Sequence, residues 1–204
     1  MRRLTQALLG HPAIYIASQH ALGAVRPRFE CLDLLGLRPG HRVLDVGCGP
    51  AYYLDALPDG VEYHGFDTDA HYLDYARRRF GARATFHHGI YDEAARQRMP
   101  RFDRVLLMGL LHHLDDAQAH DLLGLLVRSL GPDGLVVTLD TCFDRELMPV
   151  QTFLARQDRG RFVRDTAAFR ALASAHFQKV DGRLVDRWVP VRQFVMELRE
   201  PRLA

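Results

Sequence analysis

Lysine is almost missing from this chain: Lys179 stands alone, and arginine carries nearly all of the positive charge. The formal net charge is only +2, so composition offers no large basic surface of the kind that nucleic acid requires. Cysteine is scarce as well. Cys31, Cys48 and Cys142 are widely spaced and make neither a CxxC pair nor a disulfide framework, which suits small packing residues in a reducing compartment. No apolar run reaches membrane-spanning length. Behind Arg2 and Arg3 the N-terminal run is interrupted at His11 and Pro12, so neither a signal-peptide core nor a span is expected, and the chain reads as soluble and cytoplasmic. Repeats, low-complexity tracts and dividing linkers are also lacking. What is present is an apolar fraction of 48% in 204 residues, enough to build one α/β domain with a small elaboration.

Residues 1–38 carry apolar side chains at helical spacing in three stretches, with Pro12 and Pro27 as breaks and Pro39-Gly40 as the end. Strands and helices then alternate. Strands are expected at 42–46, 61–66, 84–87, 102–108 and 135–139, and helices at 51–57, 70–80 and 117–130. Gly131-Pro132-Asp133-Gly134 reads as the turn before the fifth strand. This alternation predicts a parallel sheet with helices on both faces. Residues 141–165 mix arginine with aromatic residues and read as an insertion with its own short helix. A helix at 166–175 and strands at 177–181 and 191–198 follow. Only a loop joins those last strands, so the pair is expected to be antiparallel.

Val43-Leu44-Asp45-Val46-Gly47-Cys48-Gly49-Pro50 is the most informative stretch. Val43, Leu44 and Val46 suit a strand covered on both faces. Gly47 and Gly49 allow a tight turn and close ligand approach. Asp45 is costly to bury without partners. A strand, a glycine loop and a helix form the usual entrance to a nucleotide-type pocket. Asp67 follows the glycines by about 20 residues, where an acid can accept hydrogen bonds from two ribose hydroxyls. The other reading makes Asp67, Thr68 or Asp69 a helix cap. Strand four then runs through Met108-Gly109-Leu110-Leu111 into paired histidines, His112-His113.

Together these motifs resemble the class I S-adenosylmethionine-dependent methyltransferases over roughly residues 39–140. The resemblance implies a Rossmann-like, seven-stranded, mostly parallel sheet with an antiparallel last strand, and S-adenosylmethionine as cofactor. It implies that Asp45, Gly47, Cys48 and Gly49 line the methionine end, Asp67 holds the ribose and Thr68 lies beside the adenine. Gly89 and Ile90 cover the adenine edge, and Met108-Gly109 supplies backbone contacts near the sulfonium. The family often has a third glycine where this chain has Ala51, and an acid where it has Ile90. Metal-dependent catechol-type members place an acid at the end of strand four, where Met108-Gly109 stands, so no metal is expected.

The flanks are similar to small bacterial methyltransferases associated with polysaccharide or specialised-metabolite clusters. That similarity implies an N-terminal lid over 1–38 bearing Tyr15 and Gln19; an ordinary helix at the sheet's edge is the other reading. His112 or His113 can act as general base for a hydroxyl acceptor, or merely position it. Asp140, Arg159 and Arg161 are expected on the acceptor side, and arginines there suit an anionic small molecule. Alternatively, Asp158 and Asp165 pair with Arg159, Arg161 and Arg164 in a solvated loop. The expected activity is methyl transfer to a small molecule, at oxygen. Other S-adenosylmethionine chemistry, such as cyclisation or decarboxylation, is one alternative. An NAD-dependent oxidoreductase is a weaker one, because Tyr52 stands where GxGxxG needs its third glycine. No Asn/Asp-Pro-Pro-Tyr-type motif follows strand four, which argues against a nucleic-acid substrate.

Overall fold

The computed structural model describes residues 25–143, 162–185 and 192–202, together with Pro12, Ile14, Ile16 and Ala17. The elements in chain order are α1 (Val25–Leu35), β1 (Arg42–Val46), β2 (Glu62–Asp67), α2 (Ala70–Phe80), β3 (Ala84–His88), α3 (Glu93–Arg98), β4 (Phe102–Met108), α4 (Asp116–Ser129), β5 (Leu130–Phe143), β6 (Arg164–Asp165), α5 (Thr166–Ser174), β7 (Phe177–Val185) and β8 (Gln193–Pro201). Two 3-10 turns, Tyr52–Ala56 and Leu111–His113, follow β1 and β4.

The sheet order is β3-β2-β1-β4-β5-β8-β7, with β6 paired to β5 off this path. Strands β1 to β5 are parallel, and β8 runs antiparallel between β5 and β7. The order reverses between β1 and β4. Ligands of open α/β sheets bind at such a reversal, in the crevice beyond the carboxyl ends of the strands. This is the class I, Rossmann-like architecture expected above.

The alternation of β1 shows why it lies in the middle of the sheet. Leu44 and Val46 face one core with Leu107, Leu123, Leu126 and Phe169. Val43 faces the other, with Leu35, Leu73, Phe80 and Leu106. Apart from Asp45, the buried part of β1 is therefore apolar on both faces. Helix starts are set by aspartates. Asp69 accepts hydrogen bonds from the N–H groups of His71 and Tyr72, Asp92 from Ala95 and Asp165 from Ala168. Asp115 and Gln118 exchange hydrogen bonds in a capping box at α4.

Several boundaries differ from the sequence reading. Pro27 does not break a helix but lies in the first turn of α1, where a missing N–H costs no intrahelical bond. The helix expected at 51–57 is a 3-10 turn over Tyr52–Ala56. The turn at 131–134 is a bulge inside β5. Phe102 pairs with Leu130 and Arg104 with Leu135, so the intervening residues loop out around Pro132, which has no N–H to donate. The strand predicted at 177–181 runs on to Val185, because β7 and β8 stay paired from Phe177–Pro201 to Val185–Gln193. Helix α3 and the two-residue β6 are additions. The helix expected within the insertion lies outside the described residues.

Candidate functional site

Three consecutive N–H groups tie the glycine loop to the end of β2. Gly47 and Cys48 donate to the Phe66 carbonyl at 2.8 and 3.1 Å, and Gly49 donates to Asp67 Oδ2 at 2.7 Å. Asp67 Oδ1 accepts from Asp69 N–H at 2.8 Å. The Asp67 carboxylate is thus fixed by backbone N–H groups on both oxygens, those of Gly49 and Asp69, with the Thr68 N–H also bearing on it. Burial pushes its pKa up, and those backbone donors oppose the shift. Asp69, not Asp67, caps α2. Beside them, the His88 ring contacts the Thr68 carbonyl at 3.2 Å, and Gly89 N–H donates to the Asp67 carbonyl at 2.9 Å. Ile90 stands 70% exposed, an apolar side chain at the mouth of the crevice.

Asp45 is fully buried. Its Oδ2 accepts the Tyr53 hydroxyl at 2.6 Å and the Tyr63 hydroxyl at 2.7 Å. Its Oδ1 has no hydrogen-bond partner among the described residues. Burial raises the Asp45 pKa to about 6 against the lowering effect of the two phenols. The Cys48 side chain is buried in the same core as Val43, Tyr53 and Tyr63; a Cβ on Gly65 would come within 2.8 Å of its Sγ. Burial drives the Cys48 thiol well up, so it is a packing side chain, and only its backbone can face a ligand. Ala51, at the family's third-glycine position, has φ 48° and ψ 34°. It holds the left-handed conformation of a glycine at a cost of about 1–2 kcal/mol.

Across the reversal, Gly109 N–H donates to the Leu139 carbonyl at 2.7 Å, fixing the loop after β4. The Leu110 side chain lies over Gly47, 3.4 Å from where a Cβ would stand, so this loop and the glycine loop touch. A Cβ on Gly109 would stand 3.6 Å from an Arg28 guanidinium nitrogen and 3.7 Å from His112 Cε1. Gly109 therefore keeps a narrow space between a cation and an imidazole. The paired histidines end the 3-10 turn, and α4 begins at Asp116. Their rings are 4.2 Å apart, yet His112 is buried while His113 is exposed. Asp140 Oδ1 accepts the His112 backbone N–H at 3.1 Å and lies 2.8 Å from His112 Nδ1. Asp140 is itself buried, and its Oδ2 has no hydrogen-bond partner among the described residues.

The far end of the insertion closes on the same loop. Phe162 N–H donates to the His112 carbonyl at 3.0 Å. Arg164 donates to the carbonyls of Leu111 and Leu114, both at 2.9 Å, and to Asp116 at 2.7 Å. Arg164 is thus a brace for the histidine turn. Its acidic partner is Asp116 rather than Asp165, which caps α5. Tyr15, Gln19, Arg159 and Arg161 lie outside the described residues. Among the described residues no three His, Cys, Asp or Glu side chains gather as metal ligands, and no helix is long and apolar enough to cross a membrane. Arg28, Tyr53 and Tyr63 escaped the sequence reading. An arginine in an amphipathic helix and tyrosines in apolar runs carry no local signal, and only the fold brings them to Gly109 and Asp45.

A methyltransferase-domain family matches residues 43–134. Phosphoethanolamine N-methyltransferase 3 of Arabidopsis thaliana is 26% identical over 165 residues, covering 78% of this chain and 33% of that protein. Phosphoethanolamine N-methyltransferase 2 of Haemonchus contortus, solved with phosphomonomethylethanolamine and S-adenosylhomocysteine, superposes with a TM-score of 0.67. It is 15% identical, with 87% of this chain and 53% of that one covered. The N-methyltransferase NodS of Bradyrhizobium japonicum gives a TM-score of 0.66 at 16% identity, covering 87% of this chain and 96% of that one. The chain therefore spans a third of the Arabidopsis protein and about half of the Haemonchus one.

Proposed function

We propose that the chain is a class I S-adenosylmethionine-dependent methyltransferase and that it transfers the methyl group to a hydroxyl of a small, anionic acceptor. The observation that carries the oxygen reading is the buried contact between Asp140 and His112 Nδ1 at 2.8 Å, one loop away from the glycine turn. The residues present fit the donor. Asp67 is a carboxylate held in place by backbone donors, suited to accept from a ribose diol, and Asp45 Oδ1 is an unmatched buried acceptor for the methionyl end, beside Gly47, Cys48 and Gly49. Thr68, Gly89 and Ile90 border the adenine, and Met108-Gly109 borders the sulfur.

The bound cofactor supplies an electrophilic methyl carbon, so the protein needs little covalent chemistry of its own. Its work is alignment, exclusion of water and removal of one proton. Asp140 holds the imidazole with Nδ1–H toward itself, which leaves Nε2 as the basic nitrogen. His112 takes the hydroxyl proton in this scheme, and His113 orients the acceptor at the exposed side. The similarity of the flanks assigns a cofactor lid to Tyr15 and Gln19 and the anionic group to Arg159 and Arg161, all four outside the described residues. Methyl transfer yields S-adenosylhomocysteine, whereas cleavage at another carbon yields methylthioadenosine, so product analysis with a panel of acceptors tests the reaction class.

The Arabidopsis and Haemonchus relatives, both phosphoethanolamine N-methyltransferases, favour a second reading, an amine acceptor. A neutral amine attacks without prior loss of a proton. His112→Gln separates the two: with a hydroxyl acceptor turnover falls by about a hundredfold or more, and with an amine by a few-fold at most.

A further inference from the structure

Packing alone gives no reason for a carboxylate at position 45. Val43 lies on the same face of β1 and serves the core without any polar atom. Asp45 is instead supported by two phenols from separate elements, Tyr53 in the 3-10 turn and Tyr63 in β2. Both rings are buried and edge-packed, Tyr53 against Tyr52 at 5.3 Å and Tyr63 against Phe86 at 6.0 Å. Their hydroxyls converge on the same oxygen, at 2.6 and 2.7 Å. This fixes the plane of the carboxyl group and leaves every remaining accepting position on Oδ1, which has no partner among the described residues.

We propose that Tyr53 and Tyr63 are positioning residues of the donor site: together they anchor Asp45 so that Oδ1 receives the amino group of the cofactor's methionyl end. The inference rests on the donor reading above and goes beyond it by assigning two residues outside the glycine motif. Phenols suit this task because they donate strongly yet stay neutral over the working pH range; burial and the Asp45 charge push both of them well up.

The arrangement makes donor binding pH-dependent. The titratable and charged groups around Asp45 are Arg28 from α1, Cys48 from the glycine loop, Asp67 from the end of β2, and the two tyrosines; its β4 neighbour is Leu106. An ammonium is held by the ionised carboxylate. Affinity is therefore full above the Asp45 pKa, which burial raises to about 6, and falls as the pH drops through it. Each phenol lowers that pKa, so removing one moves the acid limb to higher pH. Asp67 is also raised by burial, but it is held by Gly49 and Asp69 and touches neither tyrosine.

The test is calorimetric titration of the full chain with S-adenosylhomocysteine and with methylthioadenosine between about pH 5 and pH 8. The second ligand keeps the adenine and ribose but lacks the amino-acid end. In Tyr53→Phe and Tyr63→Phe, S-adenosylhomocysteine affinity is expected to fall about tenfold at neutral pH, and the midpoint of its acid limb to rise by about one unit. Methylthioadenosine affinity stays within about twofold, and Asp45→Asn abolishes the limb seen only with S-adenosylhomocysteine. Unchanged S-adenosylhomocysteine affinity and midpoint in both tyrosine variants overturn the inference. So does parallel weakening of both ligands, which would make the tyrosines supports of the fold alone. If the unaltered chain binds neither ligand, the donor reading itself fails and the inference falls with it.

Discussion

At the end of β1, Asp45 is held by two hydroxyls that stay neutral; near the end of β5, Asp140 is held by an imidazole that can carry a proton. Both carboxyls are buried, and each has one oxygen bonded and one without a hydrogen-bond partner among the described residues. The difference lies in what the partner can do. Neutral donors fix a carboxylate without titrating beside it, which suits a group that binds. A histidine partner exchanges protons, which suits a group that orients a base. The surroundings differ in the same sense. The end of β1 is tied to the end of β2 through the glycine loop and Asp67. The histidine turn beside Asp140 is closed by residues from the insertion, through Phe162 and Arg164.

The strongest way to break this contrast is on the acceptor side. His112→Gln is expected to lower turnover of a hydroxyl acceptor by about two to four orders of magnitude, while calorimetric affinity for S-adenosylhomocysteine stays within about twofold. An equal loss of both would place His112 in the donor site and erase the distinction. On the donor side, Asp67→Ala removes two charged hydrogen bonds to the ribose and is expected to weaken S-adenosylhomocysteine binding by about a hundredfold or more; normal affinity would remove Asp67 from that role.

A third experiment sharpens the electrostatics of Asp45. Its folded-state pKa of about 6 lies above the unfolded value of about 3.9. The folded chain therefore takes up the proton first. The cost of the buried charge is absent below about pH 4, appears as the pH rises, and is complete above about pH 6. The stability of the unaltered chain relative to Asp45→Asn is expected to fall by about 3 kcal/mol from acid to neutral pH, as measured by urea unfolding. A flat difference would mean that the two phenols and Arg28 compensate the buried charge fully. The smallest effect is expected at Ala51→Gly. Relief of about 1–2 kcal/mol of left-handed strain offsets the loss of a buried methyl, worth about 0.8 kcal/mol. Thermal unfolding is expected to show a slight gain, and a clear loss would mean that the methyl's packing outweighs the strain.

The parts of this architecture that the sequence disclosed were those written in local pattern. β1, α2 and β4 fall where apolar alternation and glycine or proline punctuation placed them, and Asp45, Asp67 and the paired histidines were all visible as polar residues in apolar company. The parts it concealed depend on distance or on brevity. Helix α3 is six residues of mostly polar sequence, too short to show a period, and β6 is two residues whose only cue is their partner in β5. The bulge in β5 needs the register with β4 before it can be told from a turn. The contacts that give the site its chemistry join Asp140 to a residue 28 positions away and Tyr63 to one 18 away. Arg164 could be read as paired in a solvated loop only because the carbonyls it braces, 53 and 50 residues distant, are invisible along the chain.

The central claim is that the crevice between β1 and β4 is a site for S-adenosylmethionine. Calorimetric titration of the unaltered chain with S-adenosylhomocysteine and with NAD, side by side, tests it most directly. The account predicts saturable one-to-one binding of S-adenosylhomocysteine and none of NAD. Tight NAD binding without S-adenosylhomocysteine binding would contradict it.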